Sequence, residues 1–219
     1  MPSRPRTAKI LRFGKTLPRA FYRRDPRVVA PELLNKILVS SDGRAGRVVE
    51  VEAYCGALDP AAHTYRGKTA RNATMFGAPG HMYVYFTYGM HWCCNAVCGD
   101  RDGTAVLIRA LDPIGGLALM REARPRAKND RDLCSGPARL AQAMGITGAD
   151  DGVDLVAASS RYTIRDDGAP PPDDAPCSAR IGISKGTEHA WRWFVRDNEN
   201  VSARKRPAGA LNIIIESKR

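Results

Sequence analysis

HMYVYFTYGMHWCCN, residues 81–95, decides how this chain is read, because it places five aromatic side chains along what its residue types predict to be a short β-hairpin. The β-branched and aromatic run from Tyr83 to Tyr88 reads as one strand and Trp92 to Val97 as its partner. Gly89-Met90 between them suits a two-residue turn of type II′, with glycine first. Tyr88 then sits at the tip. Period two puts Tyr83, Tyr85 and Thr87 on one face and Val84, Phe86 and Tyr88 on the other, so one face can pack while the other binds. A rigid ribbon ending in an aromatic wedge suits insertion between base steps. Aromatic hairpins are also ordinary core material, and the hairpin by itself does not separate the two uses.

The rest of the composition narrows the choice. With 219 residues, no repeat and no internal linker, one domain is expected. No apolar run is long enough to cross a bilayer. A net charge of +11 and a pI near 9.7 suit a polyanionic partner, and the lack of a long basic amphipathic helix favours nucleic acid over a membrane surface. Arg4, Arg6, Lys9, Arg12, Lys15 and Arg19 precede any acid, and Pro2, Pro5 and Pro18 fall among them, so residues 1–20 read as a flexible basic arm. The arm has no apolar segment of a secretory signal. Six cysteines with no C-x-x-C pair and no signal read as free thiols in a reducing compartment, not as disulfides or a zinc site.

Upstream of the hairpin, NKILVS predicts a strand from Lys36 to Ser40, and GRVVEVEAY a second from Gly46 to Tyr54 that folds back on it through Ser41, Asp42 and Gly43. Alternation puts Val48, Glu50, Glu52 and Tyr54 on one face and Val49, Val51 and Ala53 on the other. Cys55 to Gly80 reads as a long loop with one helical turn at DPAAH, Asp59 to His63, and it carries His63, Arg66, Lys68, Arg71 and Asn72. TAVLIRAL, Thr104 to Leu111, is a further strand interrupted by Arg109. An arginine buried there must be paired, and Glu50 or Glu52 is the partner in kind.

Asp112 as N-cap and Pro113 at the first helical position predict a helix from Pro113 to Ala123. Ser135-Gly136-Pro137 leads into another, bearing Arg139 and ending near Gly145. A helix start beside an arginine can bind phosphate, which makes Ser135 and Arg139 candidate phosphate contacts together with Arg71. Residues 147–176 carry short strands at most, and Ala179 to Ser184 and Trp191 to Val195 predict closing strands.

Glu52, Tyr54, His63, Tyr85, Tyr88, Asn95 and Arg109 together can do chemistry without a metal. One carboxylate can activate a water, histidine and arginine can orient it, and aromatic faces can sandwich a flat substrate. In a strongly basic chain, that set describes an enzyme acting on an aromatic base within a polyanion.

EVEAY, DPAAH, Arg71-Asn72, MFGAPGHMYVYFTYGMHWCCN, VLIRALDP and LCSGPARL, in this order between Leu33 and Ile146, resemble the alkyladenine (3-methyladenine) DNA glycosylase family, and ARIGI and WRWFVRD more weakly resemble its closing strands. The resemblance implies an α+β fold. It is a single mixed domain, residues 21–219 here, with a curved antiparallel β-sheet, surrounding helices and a protruding β-hairpin. It further implies a monofunctional enzyme of base excision repair. Such an enzyme flips alkylated or deaminated purines (3-methyladenine, 7-methylguanine, hypoxanthine, ethenoadenine) out of duplex DNA, hydrolyses the N-glycosidic bond and leaves an abasic site.

By the same resemblance Glu52 matches the base that activates water, and Arg109 helps hold that water and carboxylate. Tyr54, His63 and Tyr85 match the base pocket, Asn95 the filter against the amine of guanine, and Tyr88 the side chain that fills the vacated space. No metal or cofactor is implied. The implied partner is double-stranded DNA with damaged purines, met by a monomer in a bacterial cytoplasm near the nucleoid or in a eukaryotic nucleus.

Two details depart from the family. Period two about Gly89-Met90 sets Tyr85 and Asn95 on opposite faces, so a β-bulge is expected if both line one pocket. Ala70 stands where the family has proline, which bears on the stiffness of the loop carrying His63. Two other functions fit parts of the chain. A metal-dependent nuclease could use Glu50, Glu52 and Asp59, and would be inhibited by chelator. A non-catalytic binder of damaged DNA would release no base. A lyase step needs an activated lysine, and none falls inside the matched motifs.

Overall fold

The computed structural model describes residues 13–202. Within them a nine-stranded sheet, antiparallel at every pairing, curls into a half-barrel. Its strands are β1 (Lys15–Thr16), β2 (Ile37–Ser40), β3 (Ala45–Cys55), β4 (Met82–Thr87), β5 (His91–Cys98), β6 (Thr104–Gly115), β7 (Tyr162–Asp166), β8 (Cys177–Ser178) and β9 (Arg192–Phe194). They run in the order β1-β7-β2-β3-β6-β5-β4, with β9 on β3 and β8 on β9. The strand that organises the rest is β3: β6 covers one edge, while β2 and β9 divide the other, β9 pairing with Glu50, Val51 and Glu52.

Helices α1 (Arg19–Tyr22), α2 (Pro26–Leu33), α3 (Leu117–Ala123), α4 (Arg131–Cys134) and α5 (Pro137–Met144) contribute to a single apolar core. Val29 and Leu33 of α2, Met120 of α3, Leu133 of α4 and Leu140 and Met144 of α5 meet Val51, Ala53, Ile108, Cys94 and Ala96 of the sheet there. Short caps fix the helices that matter most. The Asp25 side chain accepts from the Arg27 amide at 2.8 Å with Pro26 at the first helical position, and α5 begins on Pro137 and closes at Gly145, φ +72°. On the other face Tyr83, Met75, Val97 and Ala105 form a small cluster with Tyr85. No helix among the described residues is long and apolar enough to cross a membrane. All six cysteines are free, and only Cys177 is exposed.

Several local expectations change. Residues 1–12 of the expected arm lie outside the described residues, but the remainder is folded: Phe13 and Leu17 are buried and Lys15 and Thr16 pair with β7. Pro113 does not open a helix. It continues β6 opposite Gly46, and α3 starts only after Gly116, whose φ is +68°. Ala179 to Ser184 form no strand, because the Ile181 amide is spent on a side chain and Gly182 takes φ +80°. DPAAH is a pair of turns, and the long loop contains a 3₁₀ helix at Ala70–Phe76. Register shifts on both sides of Glu50 return Val48 to the core beside Val51, so it does not share the face of the carboxylates.

The hairpin is one residue out of its expected register. Thr87 pairs with His91 across a three-residue loop, Tyr88-Gly89-Met90, and the left-handed residues are Tyr88 at φ +51° and Gly89 at φ +66°. The Met90 amide donates to the Thr87 carbonyl at 3.2 Å. Tyr83 therefore stands opposite Asn95 and Tyr85 opposite Cys93, and cross-strand partners share a face. Tyr85 and Asn95 thus face the same way with no bulge between them.

A left-handed tyrosine is strained, and the residue is 79% exposed, so it adds little packing in return. Tyr88→Gly is expected to leave stability to chemical denaturation nearly unchanged, whereas Gly89→Ala should lower it by about 1 kcal/mol. A loss of ~3 kcal/mol or more in Tyr88→Gly would instead mark Tyr88 as core.

Candidate active site

The sheet face opposite the helical core opens into a cavity of about 580 Å³ whose lining includes Tyr54, His63, Tyr85, Tyr88, Asn95 and Arg109. That is ample for a flat heterocycle. His63 meets the Tyr85 ring edge-on at 4.5 Å and 86°, and Tyr83 and Tyr85 stack at 5.6 Å and 24°. His63 Nδ1 lies 3.2 Å from Tyr83 Oη. The loop carrying His63 is tied down by Asn72, whose amide donates to the carbonyls of His63 (2.9 Å) and Gly67 (3.1 Å) while its oxygen accepts from the Thr69 amide (2.6 Å). Ala70 begins the 3₁₀ helix on which Asn72 lies. Asn95 is oriented in turn by donating from Nδ2 to the Tyr83 carbonyl at 3.2 Å.

Glu52 lies behind this lining, fully buried. Its Oε1 accepts from the Ile181 amide at 2.7 Å and forms an ion pair with Arg109 Nη1 at 3.1 Å, and its Oε2 accepts from Tyr54 Oη at 3.0 Å. A carboxylate has about four acceptor positions, so these donors leave room for one more, such as a water. Glu50, also fully buried, takes Arg109 Nε at 2.9 Å, Arg192 Nε at 2.6 Å, and the Ser202 hydroxyl and amide at 2.8 and 2.7 Å. Arg109 thus bridges the two carboxylates, as burial of a strand arginine requires.

Burial raises the Glu50 carboxyl, but Arg109 and Arg192 with the Ser202 hydroxyl outweigh it, and its pKa falls below the ordinary value. Burial lowers the His63 imidazole, and Arg71 lowers it further, so the ring is neutral at pH 7. Tyr54 is held well above the usual tyrosine range, first by burial and then by Glu52, and Tyr83 is pushed up to about 12, mainly by burial. Both hydroxyls stay protonated, and that of Tyr54 donates to Glu52.

The candidate phosphate contacts stand apart from this centre. Arg71 donates to the Phe86 carbonyl at 3.0 Å and so braces the end of β4, while Arg139 meets Ser135 Oγ at 3.1 Å beside Pro137 and Ala138, which border the cavity. Residues absent from the sequence-based site are Arg180, Ile181, Arg192 and Ser202. The signal for a second cation was the pair of carboxylates on one strand face, which a single arginine cannot neutralise. Asp59 is not available to that pair: Arg180 takes both its oxygens, at 2.5 and 2.8 Å.

Because Glu50 joins three elements, Glu50→Gln should cost about 3 kcal/mol or more by stranding buried guanidinium charge. A carboxyl with a lowered pKa stabilises the fold above its unfolded pKa and stops doing so as pH falls through the folded one. Urea denaturation from pH 7 into the acid range is expected to show the wild-type advantage over Glu50→Gln shrinking once pH falls below the ordinary carboxyl range. An advantage independent of pH would contradict the ionic role.

The family model for methylpurine-DNA glycosylase (MPG) matches residues 20–199. A Burkholderia lata protein named "Putative 3-methyladenine DNA glycosylase" is 67% identical over 190 residues, covering 86% of this chain and 92% of its own. Proteins of the same name from Koribacter versatilis and Streptomyces avermitilis are 46% and 47% identical, covering 86% and 85% of this chain and 94% and 90% of their own lengths. With four-fifths of its length inside the family match and its aromatic cavity backed by a buried glutamate, the chain belongs to the methylpurine-DNA glycosylase family.

Proposed function

We propose that this enzyme removes alkylated purines from duplex DNA by hydrolysis, acting as a monomer in a bacterial cytoplasm and leaving an abasic site. The observation that carries the proposal is Glu52, held by two hydrogen bonds and an ion pair immediately behind an aromatic cavity and left with an acceptor position for a water. In this reading Glu52 takes a proton from that water as it attacks the sugar carbon, and Arg109, fixed on its far side by Glu50, holds the carboxylate in place. Tyr54, His63 and Tyr85 accept the flipped base, and the oriented Asn95 amide excludes the exocyclic amine of guanine.

The neutral state of His63 supports a cationic substrate. A protonated ring would repel an alkylated purine, whereas aromatic faces attract it. Such a base already carries the positive charge that makes it leave, so no proton donor is required for it; deaminated purines, which lack that charge, are the slower class. Tyr88 fills the gap in the stack, and Arg71 and Arg139 with Ser135 meet phosphates. The nuclease alternative is disfavoured because Glu50, Glu52 and Asp59 are each committed to guanidinium groups.

Glu52→Gln keeps the shape of the side chain but cannot accept the proton. Single-turnover base release should fall by about 10² to 10⁴ while lesion binding persists. Wild-type release by the variant would remove Glu52 from this role.

A further inference from the structure

Among the described residues, Arg180 is the buried cation near the site for which the reaction has no evident use. Its side chain and that of Asp59 are both fully buried. The guanidinium donates to both Asp59 oxygens and to the Ala53 carbonyl at 2.9 Å, and it lies 4.6 Å over the Tyr54 ring and 5.1 Å from that of Trp191. Its Nε is buried with no hydrogen-bond partner among the described residues.

What Arg180 controls is the pair of donors on the outer side of Glu52. Ile181 is the next residue along the chain, and its amide donates to Glu52 Oε1. Tyr54, whose face the guanidinium covers, donates to Oε2. Asp59 anchors Arg180 from the turn that follows β3, so one buried ion pair sets a main-chain donor and a side-chain donor against the same carboxylate. We propose that Arg180, locked by Asp59, is the positioning residue for Glu52, fixing the Ile181 amide and the Tyr54 hydroxyl on its two oxygens. The inference rests on the reading of Glu52 as the base. Arg180 touches neither the reacting atoms nor the flipped purine; it acts through its neighbours.

Arg180→Lys keeps the charge but loses the fork that grips Asp59 and the flat face that packs on Tyr54. Asp59→Asn weakens the grip from the other side. In both, single-turnover release of methylated purine from duplex DNA should fall by about 10- to 100-fold, the size of effect that small misplacements of a reacting group produce. Affinity for the same lesion duplex should change by less than about threefold, because the cavity walls are kept. The rate effect should also disappear when Arg180→Lys is made in a Glu52→Gln background, since a residue acting only through Glu52 has nothing left to position.

Tyr54→Phe leaves the Arg180–Asp59 pair intact and tests the same device if the buried variants do not fold; it should slow release without weakening the fold. Wild-type rates in Arg180→Lys and Asp59→Asn would overturn the proposal. So would a rate loss that persists in the Glu52→Gln background, or wild-type release by Tyr54→Phe. Full activity in Glu52→Gln alone would instead remove the general-base reading on which it depends.

Discussion

Glu50 and Glu52 are buried side by side on one strand face, and neither could be buried there without cations brought to it. Taking a carboxylate out of water costs several kcal/mol unless well-placed donors replace the water. The fold supplies them from three directions: Arg109 from β6, Arg192 from β9 and the Ile181 amide from the segment between β8 and β9. Among the described strands, β3 alone is flanked by three others. Its edges carry the elements that neutralise its side chains. Glu50 has no exposed atom and serves as the anchor, so Arg109 reaches Glu52 already fixed.

The aromatic hairpin solves a separate problem. A base pocket needs side chains from both strands on one face, and the three-residue loop achieves this by shifting the pairing by one residue, which moves every β5 side chain to the opposite face. The loop requires two left-handed residues, and one of them is Tyr88. Strain at a side chain that is otherwise exposed fits a residue kept for contact with something outside the fold. Phe86 and Met90, also exposed, extend that apolar tip on either side.

Much of this was legible in the residues. Alternation along Gly46 to Tyr54 placed Glu50, Glu52 and Tyr54 together, and an arginine in the middle of TAVLIRAL demanded a carboxylate. Other features were not local enough to read. Ser202 meets Glu50 across 152 positions and Arg180 meets Asp59 across 121, and neither is flanked by a motif that announces the contact. The hairpin register turned on which residues adopt positive φ, where glycine placement favours Gly89 first and says nothing for tyrosine. At Asp112-Pro113 a sound local helix signal lost to strand pairing with Arg47 and Gly46. The role proposed for Asn95 comes from the resemblance alone, whereas residue patterns put Tyr88 at the hairpin tip and left packing and insertion both open.

The central claim is that a buried glutamate behind an aromatic cavity hydrolyses the bond between a damaged purine and its sugar, with no other chemistry. Incubating the enzyme with alkylated duplex DNA in excess chelator, and measuring free base and strand integrity on the same sample, tests it most directly. The account predicts release of methylated purines at the rate seen without chelator, with strands that stay intact until the abasic sites are cleaved by alkali. Strand scission without free base, dependence on a divalent metal, or tight binding with no base released would contradict it.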